Sequence, residues 1–340
     1  MSGKLSYAAA SSEATISAFL RRQFATPKPL PANIDLSNQV AIITGSNTGV
    51  GYEAARQLLQ SKLSHMILAV RSQSRGDAAA KKLQEEFPNS HISVWLLDMT
   101  SYASIHEFAE RCAQTPRLDM VILNAGSLIM PYTTAPETGH EMTMQVNYLS
   151  TALLANLLVP VLKKHQQKPR PGAHLPPILS LVGSDMQYGA VPPTTGPIIT
   201  SFDGEEAYAQ PKMYENSKHL LAFFVERLAK TVAPDEVLIN VVNPGMTKGT
   251  SFWEGKPFLR RQIMAVLMKL LARDTEVGAS TYVDAVTQWG PESHGSFLSE
   301  WQIKPYPKLW YEPEGSAFAD RLWSETMDEF AAWGSKSKAA

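Results

Sequence analysis

Residues Gln39 to Gln60 read QVAIITGSNTGVGYEAARQLLQ, and the rest of the chain is read outward from them. Val40, Ala41, Ile42 and Ile43 form a short apolar run of the kind a strand buried on both faces requires. A glycine-rich turn follows: Gly45, Ser46, Asn47, Thr48, Gly49, Val50 and Gly51. Ala54, Ala55, Leu58 and Leu59 then recur at helical spacing. Strand, glycine turn and helix N-terminus together make a phosphate cradle, because free backbone N–H groups and the positive end of the helix dipole face the anion. The spacing is G-x-x-x-G-x-G, not the commoner G-x-G-x-x-G fingerprint. The plain alternative is a tight βα turn that holds nothing.

Composition narrows the field. With 44% hydrophobic and 19% charged residues over 340, the chain reads as a soluble globular protein with a real core. A formal net charge of −1 and the absence of a basic stripe give no argument for nucleic acid. The one cysteine, Cys112, excludes an intramolecular disulfide framework and fits a reducing compartment. The longest apolar runs are broken by Pro160 or by charges, so no membrane span is expected, nor is a cleaved leader. The expected location is the cytoplasm. No residue set suggests a metal.

Residues 1–35 precede the first strand as an N-terminal extension, and 36–340 read as one domain that includes a C-terminal helix near 316–331. Within the extension, Ser11 to Phe24 fits an amphipathic helix with Ile16, Phe19, Leu20 and Phe24 on one side, packed on the domain's own surface. PKPLP at 27–31 is a stiff extended connector. Strands are expected at His65 to Val70, Ile92 to Leu97, Met120 to Leu123, Ile178 to Val182 and Val237 to Val242. Helices alternate with them at Ser74 to Phe87, Ser101 to Ala113, Thr138 to His165 and Met213 to Thr231. Such alternation makes an α/β fold, a Rossmann-type doubly wound parallel sheet with helices on both faces. Ligands in these sheets bind beyond the carboxyl ends of the strands, so the residues just after each strand matter most.

After the second strand stands Arg71, which suits a 2′-phosphate where an acidic residue would suit bare ribose hydroxyls. After the third stands Asp98, either an acceptor for an adenine amino group or a cap for the next helix. After the fourth come Asn124, Ala125 and Gly126, small residues plus an amide where backbone passes close to a cofactor. Asn147 lies inside a helical run that disfavours it, the mark of a positioned polar group. Tyr214 and Lys218, four apart, share a helix face. A neighbouring ammonium favours the phenolate, and such a tyrosine gives a proton to a carbonyl oxygen or takes one from an alcohol. Tyr208 and Lys212 repeat the pattern six residues earlier, but Pro211 disrupts a helix carrying that pair.

TGSNTGVG, Asn124-Ala125-Gly126, Asn147, a serine after the fifth strand, Tyr214-x-x-x-Lys218 and Asn243-Pro244-Gly245 occur in this order. In that order the set resembles the short-chain dehydrogenase/reductase family over roughly residues 36 to 300. LARDTEVGAS (271–280), GPESHGSFLS (290–299) and DRLWSETMDEF (320–330) resemble the fungal members found in secondary metabolism. The resemblance implies Tyr214 as acid/base, and Lys218 as the residue that lowers its pKa and binds the nicotinamide ribose. It implies Asn147 as the amide holding a relay water, Ser184 as the partner of the substrate oxygen, and Pro244-Gly245 as the turn against the nicotinamide. Two departures stand out. Gly183-Ser184 replaces the usual Ser-Ser, leaving Ser180 as a rival, and the threonine or serine often found shortly after Pro-Gly is displaced, so that Thr247 or Thr250 would bond the nicotinamide carboxamide.

The interval of thirty positions from Ser184 to Tyr214 is longer than in compact family members and reads as an inserted loop before the catalytic helix. FWEGKPFLRRQIMAVLMKL (252–270) lies where the family carries its substrate lid, and it is as compatible with a helix packed on the core. The expectation is an NADP(H)-dependent oxidoreductase for a bulky apolar ketone/alcohol pair, acting as a reductase in fungal secondary metabolism. The rivals are a non-redox isomerase or cyclase on the same scaffold, and a nucleotide-sensing binding protein. A monomer is expected, with Val191, Ile198, Ile199 and Phe202 of the insertion covering the helix face a partner would use.

Overall fold

Val40–Thr44 forms β1, and its side chains divide between two cores: Ile42 enters one, Ala41 and Ile43 the other. The computed structural model describes residues 1–166, 172–248 and 271–339. The remaining strands are β2 (His65–Val70), β3 (His91–Leu96), β4 (Met120–Leu123), β5 (Ile178–Val182), β6 (Leu238–Asn243), β7 (Ser296–Ser299) and β8 (Gln302–Lys304). They form one sheet in the order β3-β2-β1-β4-β5-β6-β7-β8, parallel except for β8. The chain builds outward from β1 in one direction and then, from β4, in the other, so the switch point lies between β1 and β4.

The described α-helices longer than one turn are α1 (Tyr7–Glu13), α2 (Ile16–Gln23), α3 (Gly49–Gln60), α4 (Gln73–Glu86), α5 (Tyr102–Ala113), α6 (Thr151–Gln166), α7 (Gln210–Ala229), α8 (Thr275–Thr287) and α9 (Gly315–Ala339). Residues of α5, α6, α7 and α9 fill the core on one sheet face, and those of α3, α4 and α8 fill the other. The doubly wound expectation therefore holds. β7 and β8 were not foreseen. Their connection is a two-residue turn at Glu300 and Trp301, both at positive φ (50° and 57°), where sequence reading looks for Asn-Gly. Met142–Gln166 is long and apolar enough to cross a membrane by composition, but most of its apolar stretch is buried inside the protein.

Three other expectations change. The N-terminal extension holds two helices, because Thr15 caps α2 through Ala18 N and ends the run before it. Moreover, α2 does not dock mainly by its apolar side: Ile16, Leu20 and Phe24 face out and Phe19 is half-buried, while Ala18, Arg22 and Gln23 are buried. In the insertion, Ile198, Ile199 and Phe202 are buried as expected, but Val191 is 84% exposed and covers nothing. Much of the outer face of α7 is covered instead by α9 and the segment before it. Phe224 stacks on Trp323 at 5.2 Å, and Phe223 meets Phe318 and Trp310 edge-on. The insertion is in turn fastened to α9, whose Glu325 carboxylate accepts from Ile198 N and Ile199 N at 2.8 and 3.0 Å. The lid expected over 252–270, and Thr250, lie outside the described residues.

Candidate active site

The glycine turn is shaped by local contacts. Gly45 and Gly49 adopt positive φ, 66° and 61°, which a side chain would strain. A Cβ at Gly51 would stand 2.5 Å from Asn124 Nδ2 and 2.9 Å from the Gly45 carbonyl oxygen. Asn124 is the reason the turn closes: its Nδ2 donates to Thr44 O at 2.8 Å, and Tyr282 of α8 donates to its Oδ1 at 3.0 Å. Ala125 N donates to Thr44 Oγ1 at 2.9 Å. No side chain caps the start of α3 at Thr48, so its first amides remain for an anion.

Some residues expected at the cofactor contribute differently. Ser46 turns its hydroxyl inward to Ile43 O at 2.8 Å, and Val50 packs in the core, so both offer backbone only. The Asn124 amide is spent on the turn. Tyr282, which holds it, carried no sequence signal. Asp98 does not cap α5; Ser101 does, while Asp98 Oδ1 accepts from Thr100 N and Oγ1 at 2.9 and 2.8 Å. Arg71 is exposed directly beyond β2, with no ion-pair partner among the described residues.

Beyond β5 the catalytic candidates converge. Lys218 Nζ donates to Val182 O, the last residue of β5, at 2.8 Å, and lies 5.8 Å from the centre of the Tyr214 ring. The Ser184 side chain lies close enough to the Tyr214 hydroxyl to act on its pKa, and the Ser184 hydroxyl accepts from Met186 N at 3.2 Å. Gly126 passes so close that a Cβ would stand 3.1 Å from Asn147 Oδ1 and 3.7 Å from Lys218 Nζ. Asn147 sits in a π-helical segment, Gln145–Ser150, that runs without a break into α6. Both ends of its amide are used on Ser127, Oδ1 accepting from N and Nδ2 donating to O, each at 2.8 Å. A further Nδ2 bond of 3.2 Å reaches Ser217 Oγ. The side chain is thus a brace for the backbone after Gly126, which the relay-water expectation did not include.

The electrostatics also differ from expectation. In the protein alone the Tyr214 pKa is not lowered: burial pushes it up to about 12, against the Ser184 hydrogen bond, with the Asp185 charge adding to the rise. Burial likewise brings Lys218 down to about 8. Desolvation favours the neutral form of each.

The two alternatives left by the sequence separate cleanly. Ser180 is fully buried within β5, and its hydroxyl donates to Asn240 Oδ1 of β6 at 2.7 Å, a contact within the sheet. Tyr208 precedes α7, which starts at Gln210 with Pro211 in its first turn, and its hydroxyl donates to Ile129 O at 2.7 Å. At the end of β6, Gly245 takes φ 74°, and its N donates to Asn243 Oδ1 at 3.1 Å. Thr247 is buried, bridged to Arg273, and its methyl faces Gly278.

The profile of the short chain dehydrogenase family matches residues 39–169 and 195–257. The chain belongs to that family. The unmatched interval contains Ser184 and the first part of the insertion, as expected if the insertion departs from the family pattern. A short chain dehydrogenase of Hypocrea virens, virL, is 52% identical over 320 residues, covering 94% of this chain and 93% of its own length. A short chain dehydrogenase/reductase of Annulohypoxylon moriforme, mfmJ, is 46% identical, covering 92% and 90%. The resemblance to fungal members is thereby borne out. Among solved structures, an NADPH-dependent 3-quinuclidinone reductase from Rhodotorula rubra superposes with a TM-score of 0.58 at 20% identity, covering 81% of this chain and 96% of that one. An L-sorbose reductase of Gluconobacter frateurii, solved with NADPH and L-sorbose, gives 0.56 at 18%, covering 79% and 97%. At such identities the likeness is one of fold.

Proposed function

We propose that this short chain dehydrogenase is an NADP(H)-dependent reductase that converts a bulky apolar ketone or aldehyde into an alcohol in fungal secondary metabolism. The observation that carries the reading is the meeting of Ser184, Tyr214 and Lys218 at the end of β5. The residues fit the cofactor. The glycine turn leaves no room for side chains, the α3 amides are free for a phosphate, and Arg71 is available for a 2′-phosphate. The L-sorbose reductase solved with NADPH and the NADPH-dependent 3-quinuclidinone reductase, both of this fold, support the same choice. Asp98, Ala125, Gly126, Lys218, Pro244, Gly245 and Thr247 complete the proposed contacts.

Bound NADPH would supply the hydride to the carbonyl carbon. Tyr214, held protonated by burial, donates its proton to the carbonyl oxygen, and this supports the reductive direction. Ser184 hydrogen-bonds that oxygen as negative charge develops on it. Lys218, anchored by Val182 O, stabilises the phenolate that remains, and Asn147 keeps the backbone after Gly126 in register behind it. The apolar side chains of 252–270 support a bulky apolar substrate. We further propose a cytoplasmic monomer, since the α7 face expected at a dimer interface is covered by α9 within the chain.

Incubation with NADPH and a panel of bulky apolar ketones tests the reading through cofactor consumption. NADPH binding without consumption across the panel supports the sensing alternative instead. Light scattering over a concentration series tests the monomer, and a stable mass near twice 37.4 kDa overturns it.

A further inference from the structure

An amphipathic surface helix ordinarily buries its apolar stripe. In α2 the stripe faces solvent, with Ile16 80% exposed, and an arginine is buried in its place. Arg22, 4% exposed, donates from Nε to Asp185 Oδ2 at 3.1 Å and from Nη1 to Glu13 O at 2.7 Å, and it pairs with the Glu13 carboxylate. Asp185 directly follows Ser184 and opens the short turn Asp185–Gly189. The C-terminal end of α2 is held as well. Arg273 donates to the carbonyls of Arg22 and Gln23, and the Gln23 amide brackets Met246, the residue after Gly245, at 2.8 and 3.1 Å. One helix of the extension therefore braces the segments that follow Ser184 and Pro244-Gly245.

Burying an ion pair is a poor way to gain stability, because desolvation costs several kcal/mol per ion and an apolar contact does as well. Its effect on the neighbouring site is a better account of its presence. We propose that Arg22 is a positioning residue for the Ser184–Tyr214 pair, fixing through Asp185 the turn that carries Ser184 and cancelling that carboxylate's charge at the Tyr214 hydroxyl. The inference rests on Tyr214 being the acid/base group. The charged and titratable groups that act with Asp185 come from every side. They are Arg22 of α2, Glu13 of α1, Tyr188 of its own turn, Arg273 ahead of α8, Glu300 after β7, Lys304 of β8 and Tyr214 of α7. Three cations balance three carboxylates in this group, so loss of Arg22 leaves a net negative charge beside the site.

The test uses the full chain with Arg22→Gln, Arg22→Lys, Asp185→Asn and the Arg22→Gln/Asp185→Asn double variant. The first readout is the pH dependence of kcat for whichever panel ketone the wild type reduces. Reduction needs Tyr214 protonated, so the rate falls as pH rises through its apparent pKa. Arg22→Gln is expected to move that limb up by about half a pH unit or more, a threefold or greater change in the equilibrium. Asp185→Asn is expected to move it down, and the double variant and Arg22→Lys to return it close to wild type. A fall in kcat and melting temperature with no movement of the limb makes Arg22 merely structural and overturns the proposal. The second readout needs no substrate, and it decides if the wild type reduces no ketone, an outcome that counts against the function and not against Arg22. Amide hydrogen exchange across 184–189 is expected to quicken about tenfold or more in Arg22→Gln and to recover in Arg22→Lys. Unchanged exchange there overturns the proposal. Should Arg22→Gln fail to fold, Asp185→Asn alone decides by the direction of its limb.

Discussion

Around the glycine turn, the supporting contacts come from the ends of two adjacent strands and the helix start between them, through Thr44, Gly45, Gly51, Asn124 and Ala125, with Tyr282 reaching in from α8. Around Tyr214 the support comes from the whole chain. Ser184 is braced through Asp185 by Arg22, Asn147 reaches in from a π-helical segment, and the insertion hangs on Glu325 of α9 and, through its own Asp203, on His140. Binding a dinucleotide phosphate asks for backbone amides at a helix start, which one βα unit provides. Proton transfer asks for several side chains held at fixed separations, which no single unit provides. The nucleotide half should therefore answer to local changes, and the catalytic half to distant ones.

The largest effect expected is at Tyr214. Tyr214→Phe should lower turnover by about 100-fold or more, the scale of a lost general acid, while NADPH affinity stays close to wild type. Tyr208→Phe, losing only its bond to Ile129 O, should leave turnover within about twofold and cost roughly 1 kcal/mol in stability. Steady-state assay of the two variants side by side breaks the assignment if Tyr208→Phe is the inactive one.

Next comes the distant anchorage of the insertion. His140 Nδ1 bonds Asp203 Oδ2 at 2.8 Å, and Nε2 lies 3.5 Å from Glu329 Oε1 of α9. Burial opposes its charge, but the hydrogen bonds with Asp203 and Glu329 prevail and raise its pKa from 6.5 to about 9. A raised folded-state pKa means stability present in full below about 6.5 and lost as pH rises through about 9. The two and a half units correspond to about 3 kcal/mol at most. Urea unfolding of wild type and His140→Gln should therefore differ most at pH 6 and converge by about pH 10. A gap independent of pH removes the charged pair from the account.

In the nucleotide half, Arg71→Asp should weaken NADPH relative to NADH by about 1.5–3 kcal/mol, the worth of a charge-assisted hydrogen bond. Fluorescence titration of both cofactors measures it, and equal losses for the two place Arg71 outside the 2′-phosphate contact. The smallest effect separates the two serines. Ser180→Ala should cost about 1 kcal/mol of stability through the lost bond to Asn240, with turnover unchanged, whereas Ser184→Ala should lower turnover. Activity lost in Ser180→Ala would reverse the assignment.

What the sequence determined by itself was everything carried by short-range pattern. The glycine turn, the parallel strands from β1 to β6 and the Tyr214–Lys218 pair were legible because a buried strand, a tight turn and a helix face each announce themselves within a few residues. That Tyr208 stands outside the helix carrying Tyr214 and Lys218 was legible for the same reason, since a proline in the first turn of α7 is a local fact. The β7–β8 hairpin was not, because its turn uses Glu300 and Trp301 where glycine or asparagine would have marked it. The docking of α2 was misread because hydrophobic periodicity says which face is apolar, not which face is buried. Arg22 and Asp185 are 163 positions apart, Gln23 and Met246 223, and Asn124 and Tyr282 158. No window along one chain contains such pairs. Only the tertiary structure decided them, because the energy of a buried charge or amide depends on the partner that packing brings to it, and that partner is chosen by the fold as a whole.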